Sequence, residues 1–304
     1  MKTPAAPTAI HAPPWALLNV ASPLFWPSLF IVMWSSGYVA GKVGLPYAGP
    51  FTLIFLRFSV AAVILLVVSL LTRAPWPDTG RKWFHIAMVG VLIQALQFSG
   101  LYTGLSKGVS AGVSAVIVGL MPIFTAVGAV AFLGERVNRR QVLGLALGLT
   151  GVVMVVAHKF EFNTDSIHGY LAVCMALLGI TAGTLYQKKF CGNMDLRTGG
   201  CIQLGVATLI VGAIALATEN MAVQWTPMLL ASSLWLSLVN SIGAISVMFL
   251  MLRSGQASRV ASLFYLIPAV TAVMGYLVLN ETLTAFQMLG FAVSASGVYL
   301  TTRK

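Results

Sequence analysis

Residues 111–153 read AGVSAVIVGLMPIFTAVGAVAFLGERVNRRQVLGLALGLTGVV, and residues 257–299 read ASRVASLFYLIPAVTAVMGYLVLNETLTAFQMLGFAVSASGVY. The two stretches align without a gap at a constant offset of 146 residues. Over residues 104–153, 15 of the 50 pairs at this offset are identical. The pairs that apolar composition alone does not explain are Pro122 with Pro268, Glu135 with Glu281, Gln141 with Gln287, Gly144 with Gly290 and Gly151 with Gly297. The chain therefore contains an internal repeat.

The composition indicates the solvent in which this chain folds. Hydrophobic residues make up 58% of the 304 residues, charged residues only 8%, and the mean hydropathy is +0.91. A soluble domain carries about 25% charged residues, so this chain lacks the polar surface of a soluble protein. Lipid-facing helices need an apolar outer surface, and we predict an all-α integral membrane protein.

Ten apolar runs approach the length of about 20 residues that a membrane-spanning helix needs. They are 24–44, 50–71, 83–102, 109–133, 140–157, 169–190, 198–217, 228–252, 257–279 and 285–302. We predict a cytoplasmic tail over residues 1–23, a first repeat of five helices over residues 24–157 and a second over residues 167–302. The offset of 146 also pairs Gly37 with Gly183 and Lys42 with Lys188, which extends the repeat over whole halves.

The basic residues predict the orientation of the helices. With the N-terminus in the cytoplasm, 14 of the 18 lysines and arginines lie on or near the cytoplasmic side. Only Lys42, Lys107 and Lys159 lie on the opposite side, and Arg57 is inside the second run. Because cytoplasmic loops are enriched in basic residues, this split predicts that both termini are cytoplasmic and supports an even number of helices.

The repeat has a consequence for mechanism. Five helices per half is an odd number, so the second half enters the membrane with opposite polarity. The loops agree, because Glu135 lies in a loop with three arginines and Glu281 in a loop with no basic residue. Inverted repeats around a site at the membrane midplane are typical of secondary transporters that work by alternating access.

The pattern Pro-x12-Glu-x5-Gln-x2-Gly, present twice, resembles the EamA-type domain of the drug/metabolite transporter superfamily. Trp34, Gly37 and Lys42 in the first run, and the LRF at residues 56–58 in the second, are also similar to that family. The resemblance covers nearly the whole chain after the tail and implies a ten-helix exporter in the bacterial inner membrane. Within the family, the chain looks most like bacterial exporters of amino acids, including those of aromatic amino acids and methyl viologen. It departs from the family pattern where Gln203 stands at the position paired with Arg57.

Polar and aromatic residues inside the apolar runs are the candidates for substrate binding, since such residues are costly to place in lipid. Trp34, Tyr38 and Lys42 are spaced by four residues and share one helix face, where they could hold the side chain and carboxylate of an amino acid. The alternative for all three is an interfacial position. Further candidates are Gln94, Gln97, Tyr102, Tyr186, Asn240, Ser246 and Tyr265.

Arg57 and two prolines have two interpretations each. Arg57 could attract an anionic substrate group, but we favour a structural role in which it hydrogen-bonds a neighbouring helix. Pro122 and Pro268 are predicted in mid-helix, where proline frees a carbonyl group and kinks the helix. We predict that they act as hinges, and a static bend is the alternative.

Several other kinds of site are not expected. The three cysteines match no zinc spacing, and we predict no disulfide, metal or cofactor. Neither a catalytic arrangement nor a phosphate-binding loop is present, so we do not expect an enzyme. The basic residues lie in short loops rather than on one face, which argues against nucleic-acid binding. All seven acidic residues lie in predicted loops or at helix ends, so any ion coupling has to work without a carboxylate in mid-membrane.

The sequence therefore predicts a single-domain carrier that exports small zwitterionic metabolites, most of all amino acids, across the lipid bilayer. Three alternatives stay open: a carrier of phosphorylated or other anionic metabolites, an exporter of aromatic cationic drugs, and a channel or scaffold. The oligomeric state is not predicted.

Overall fold

The computed structural model describes residues 25–133, 139–157, 164–192, 194–253, 264 and 266–302. These residues form helices joined by short turns, and their β-structure is limited to one isolated bridge between Ala48 and Val223. The helices are α1 (Phe25–Gly44), α2 (Pro50–Leu71), α3 (Gly80–Ser106), α4 (Ala111–Val118), α5 (Met121–Leu133), α6 (Arg139–Ala157), α7 (Thr164–Phe190), α8 (Leu196–Thr218), α9 (from Pro227 to Arg253), α10 (Ile267–Leu279) and α11 (Ala285–Thr302).

Local signals explain where the helices begin. Side-chain oxygens of Thr79, Ser110, Asp195 and Thr226 cap the first turns of α3, α4, α8 and α9 by accepting backbone N–H groups. Prolines stand in the first turns of α2, α9 and α10, where the missing N–H is no loss.

Five stretches in the described ranges are long and apolar enough to cross a membrane. They are Pro50–Leu71, Gly80–Ser106, Ile167–Phe190, Leu196–Thr218 and Pro227–Met248. The all-helical, membrane-type fold predicted from composition is confirmed. The full set of ten spans stays a prediction. The helix of the fourth run is interrupted, and residues 254–263, which include the start of the ninth run, lie outside the described residues.

The interruption of the fourth run differs from the sequence prediction of one kinked helix. α4 ends at Val118 and α5 begins only at Met121. The Leu120 N–H bonds the Ile117 carbonyl in a tighter turn, and Pro122 has no N–H to bond the Val118 carbonyl. Pro122 and Pro268 consequently stand at the second positions of α5 and α10, not in the interior of continuous helices.

The repeat is visible in the helix boundaries and in the packing. α2 and α8, α5 and α10, and α6 and α11 each begin 146 residues apart. Contacts made by α1 and α2 have repeat-related counterparts. α1 packs on α9 and α10, and its repeat partner α7 packs on the partners of those helices, α3 and α5. Likewise α2 packs on α9, and its repeat partner α8 packs on α3. The repeat-related helices α2 and α8 pack on each other, and so do α6 and α11. This packing pattern is that of two halves related by a pseudo-two-fold axis.

Candidate functional site

A small space lies where the repeat axis runs through the bundle. It is lined by Trp34, Tyr38, Ala115, Val118, Gly119, Met121, Ile180, Phe264 and Ile267. The offset of 146 relates Trp34 to Ile180, Val118 to Phe264 and Met121 to Ile267. Residues that meet their own repeat partners around one space must lie close to the axis. We call this space the axis cavity.

The axis cavity has an aromatic wall and an aliphatic wall. The ring of Trp34 lies 5.5 Å from those of Phe30 and Phe264, and the Phe30 and Phe264 rings are 5.7 Å apart, mostly edge to face. Ile180 and Val118 occupy the repeat-related positions opposite. The cavity measures about 10 Å³, which is room for one water molecule. The described residues thus leave little open space at the axis.

Two π-helical segments stand at repeat-related places beside the axis. They are Gly90–Leu96 in α3 and Trp235–Ala244 in α9, and each contains one buried amide at the same repeat position, Gln94 and Asn240. π-helical turns are rare and are frequent at functional sites. Asn240 Nδ2 donates to the Met33 carbonyl of α1, and Asn240 Oδ1 is buried with no partner in the described residues. The offset would have revealed this pairing of amides in the sequence.

Gln97 directly follows the π-helical segment Gly90–Leu96 of α3. Its side chain is buried, and so is that of Gln94. Within the described residues, no hydrogen bond of either amide group to protein is present. Although the residues as a whole are buried, their amide atoms are not sealed off as Asn240 Oδ1 is, so both residues stay candidates for substrate binding.

Arg57 and Tyr102 form a buried polar cluster at the junction of α2, α3 and α9. Arg57 Nε donates to Ser241 Oγ at 2.8 Å, and Nη1 donates to the Tyr102 hydroxyl at 3.1 Å. The guanidinium carbon lies 4.3 Å from the centre of the Phe98 ring. The predicted hydrogen bonding of Arg57 to neighbouring helices is present. Phe98 was missed in the sequence, although it stands one helical turn before Tyr102.

Lys42 makes an ion pair with Glu281. Lys42 Nζ lies 2.7 Å from Glu281 Oε1, and the same oxygen accepts the backbone N–H of Ala111 at 3.0 Å. The carboxylate thus joins the end of α1 to the first turn of α4, where a negative charge is favoured by the helix dipole. Lys42 is engaged in this pair rather than facing the axis cavity, and Glu281 anchors a helix end.

Tyr186, Ser246 and Pro268 do not line the axis cavity. The Tyr186 hydroxyl is 2.7 Å from His85 Nδ1, and both rings pack on Phe190, toward the opposite end of α3 from Tyr102. Ser246 is exposed. Tyr265 lies outside the described residues. Pro268 is half-buried at a larger apolar cavity of about 250 Å³ between α4, α10 and α11, of which Leu266, Val273 and Met288 form an exposed edge.

The described residues contain no cluster of His, Cys, Asp and Glu that could hold a metal ion. The three cysteines are unpaired. The sequence prediction named only Trp34 and Tyr38 of the residues that line the axis cavity, and those it missed include Ile180, Val118 and Phe264. As ordinary apolar residues they gave no signal of their own, but the offset of 146 pairs two of them with each other and the third with Trp34.

Known proteins match this chain over nearly its whole length. Among curated proteins it is 28% identical over 285 residues to the uncharacterized transporter YvbV of Bacillus subtilis, with 91% of this chain and 90% of that protein covered. It is 26% identical to a probable amino-acid metabolite efflux pump of Salmonella typhimurium, covering 90% and 92% of the two chains. It is 28% identical to a probable terminal-alkyne amino-acid exporter of Streptantibioticus cattleyicolor, covering 91% and 92%.

The fold has a counterpart among solved structures. One crystal structure superposes with a TM-score of 0.64 at 17% identity, covering 91% of this chain and 94% of the other. The profile of the EamA-like transporter family matches residues 21–157 and again residues 167–303. Two matches that together span most of the chain, on a helical bundle with a repeat axis, show that this chain belongs to the EamA-like transporter family.

Proposed function

We propose that this protein is a secondary transporter of the bacterial inner membrane that exports small zwitterionic metabolites, most of all amino acids, by alternating access. In this proposal the chain forms ten spans in two inverted repeats, residues 24–157 and 167–302, behind a tail over residues 1–23. The axis cavity is the substrate site. Its three repeat-related residue pairs carry the proposal, because transporters built from repeats bind substrate where the repeats meet.

The geometry supports a substrate with both an apolar and a polar part. Trp34 and Phe264, with Phe30 packed on both, offer an apolar aromatic wall. Gln94 and Gln97 offer amide groups that can donate to a carboxylate and accept from an ammonium. Efflux of amino-acid compounds is also what the names of two relatives state for those proteins.

The axis cavity, at about 10 Å³, has to widen before it can hold a substrate. α5 and α10 begin beside it, at Met121 and Ile267, and each has a proline at its second position. A helix that begins at a break can tilt without breaking further hydrogen bonds, so we propose Pro122 and Pro268 as hinges of α5 and α10. The ion pair between Lys42 and Glu281 joins α1 to the segment after α10 and has to separate or move with them.

The test is transport by purified protein in proteoliposomes loaded with a panel of radiolabelled amino acids. Trp34→Ala or Gln97→Ala should reduce the initial rate of flux roughly tenfold, the factor that about 1.4 kcal/mol of lost binding produces. Both variants should remain folded, as judged by monodisperse elution. Trp225→Ala is the matched control, since Trp225 is 65% exposed and outside the helices. Wild-type flux in the Trp34 and Gln97 variants would refute the site.

Carriage of anionic metabolites is the second candidate, and the buried cation of Arg57 favours it. Competition by sugar phosphates, with none by amino acids, would support that function instead. Saturable flux with counterflow would exclude a channel.

A further inference from the structure

Arg57 is a buried cation whose partners are all neutral. Its side chain lies in α2 and the residue is 4% exposed. It donates to the hydroxyl groups of Ser241 and Tyr102 and faces the ring of Phe98. In the described part of the chain, no carboxylate lies within ion-pair distance of it. A guanidinium has five N–H groups and does not lose its proton in proteins. Among the described residues, three of these N–H groups therefore have no hydrogen-bond acceptor and no negative charge neutralises the cation.

A tie between helices does not explain the charge. Two hydrogen bonds to hydroxyl groups can be made by a neutral amide, without the several kcal/mol that it costs to bury an ion. At the related position of the second repeat, Gln203 of α8 is neutral and buried, and its amide contacts the sulfur of Met194. The fold therefore accepts a neutral residue at this place in α8 and has a cation only in α2.

The cluster of Arg57, Tyr102 and Ser241 lies next to the axis cavity. Tyr38 of α1 lines the cavity, and Gly41, three residues further along α1, contacts the ring of Tyr102. The cluster therefore faces the same helix that contributes Trp34. An anionic group that entered from the cavity past Tyr38 would meet the guanidinium.

We propose that Arg57, with the hydroxyl groups of Tyr102 and Ser241, binds the carboxylate of the transported amino acid. This inference rests on the proposed function and names the substrate group that the site selects. The planar fork of the guanidinium fits a carboxylate with two parallel hydrogen bonds, and the two hydroxyl groups can turn to donate to the same oxygens. A phosphate group has the same acceptor chemistry, and the experiment separates the two.

The experiment measures ligand binding to the purified full-length protein in nanodiscs by calorimetry. The probes are the twenty common L-amino acids, the carboxamide of each amino acid that binds, and inorganic phosphate. The variants are Arg57→Gln, which copies the second repeat, and Arg57→Lys, which keeps the charge without the fork. Arg81→Gln, at an exposed position, is the matched control.

Arg57→Gln should weaken amino-acid binding roughly 10- to 100-fold, while the carboxamide binds to wild type and variant alike. The amino-acid affinity of Arg57→Lys should lie between those of the wild type and Arg57→Gln, and that of Arg81→Gln should match the wild type. A purely structural Arg57 would lower the affinity for acid and amide equally, and this result would overturn the inference while leaving amino-acid export intact. If Arg57→Gln does not fold, the affinities of Arg57→Lys for each amino acid and its carboxamide test the inference in the same way.

The two proposals fail in different ways. Binding of phosphate but of no amino acid, lost in Arg57→Gln, would support an anion site at Arg57 and refute amino-acid export. Amino-acid binding that Arg57→Gln leaves unchanged would refute the carboxylate site alone. Binding of no amino acid and no phosphate by the wild type would overturn both.

Discussion

Gly37 shows how a single residue determines the distance between two helices. A Cβ atom added at Gly37 would lie 2.6 Å from Nδ2 and 3.1 Å from Cγ of Asn240, a residue of the π-helical segment in α9. The missing side chain lets Asn240 reach across and donate to the carbonyl of Met33 in α1. Close approach through small residues, with a polar residue bonding across the interface, is a common way to join helices in membranes.

We predict that Gly37→Ala lowers the stability of the purified protein by about 1–3 kcal/mol, because the added methyl group overlaps the Asn240 amide. Thermal unfolding in detergent measures it. Gly205→Ala is the matched control, since a Cβ atom at Gly205 of α8 meets nothing within 4 Å. In the Asn240→Ala background the same Gly37 substitution should cost much less, since the overlapping group is gone. Strictly additive effects would contradict the proposed contact.

At the scale of elements, α6 and α11 form the longest interface between the two repeats. Their contact runs through glycines: a Cβ atom on Gly297 would overlap the backbone of Gly148 and Gly144, and one on Gly151 would overlap the backbone of Ser294. The repeat pattern places Gly151 and Gly297 at the same position in the two halves. The paired glycines are thus explained by packing, and nothing in their surroundings calls for a role in substrate binding.

We predict that Gly297→Leu lowers the free energy of unfolding by at least about 3 kcal/mol, since backbone atoms of α6 cannot move aside as a flexible side chain can. Gly205→Leu introduces the same side chain into an open position of α8 and should have little effect. Thermal unfolding of both variants, with size-exclusion profiles, makes the comparison. Equal melting temperatures for the two would show that α6 and α11 do not pack as closely as described.

At the scale of the whole molecule, the predicted inverted repeat and the charge distribution together predict the membrane topology. Five helices per half, as predicted, would turn the second half over, and an even total would return the C-terminus to the side of the N-terminus. The 14-to-3 split of basic residues then predicts that both termini are cytoplasmic. Helix packing alone does not distinguish the two sides of a membrane.

We predict that green fluorescent protein fused to the C-terminus of the full chain is fluorescent in a bacterial host, and that alkaline phosphatase fused there is inactive. The reverse should hold for fusions to a chain truncated after Phe160, in the loop between the repeats. An active phosphatase at the full-length C-terminus would refute the even number of spans or the cytoplasmic position of the N-terminus.

Much of this protein follows from local sequence. The membrane environment of the chain is predicted by its 58% hydrophobic and 8% charged residues. The helices are predicted by apolar runs bounded by Thr, Ser and Asp caps and first-turn prolines. The repeat follows from Pro, Glu, Gln and Gly at one constant offset. These properties are encoded in residues near each other in the chain, or in a comparison of the chain with itself, and they need no knowledge of the packing.

Only the tertiary structure showed which residues meet. Membrane helices that are apolar on every side give no periodic signal of which face turns inward, so Ile180, Val118 and Phe264 could not be assigned to the axis cavity. Lys42 has the sequence features of a substrate ligand, but in the structure it pairs with Glu281, 239 residues away. Arg57 meets Ser241 across 184 residues. Such contacts depend on the rotation and tilt of whole helices, which the packing of the complete bundle determines.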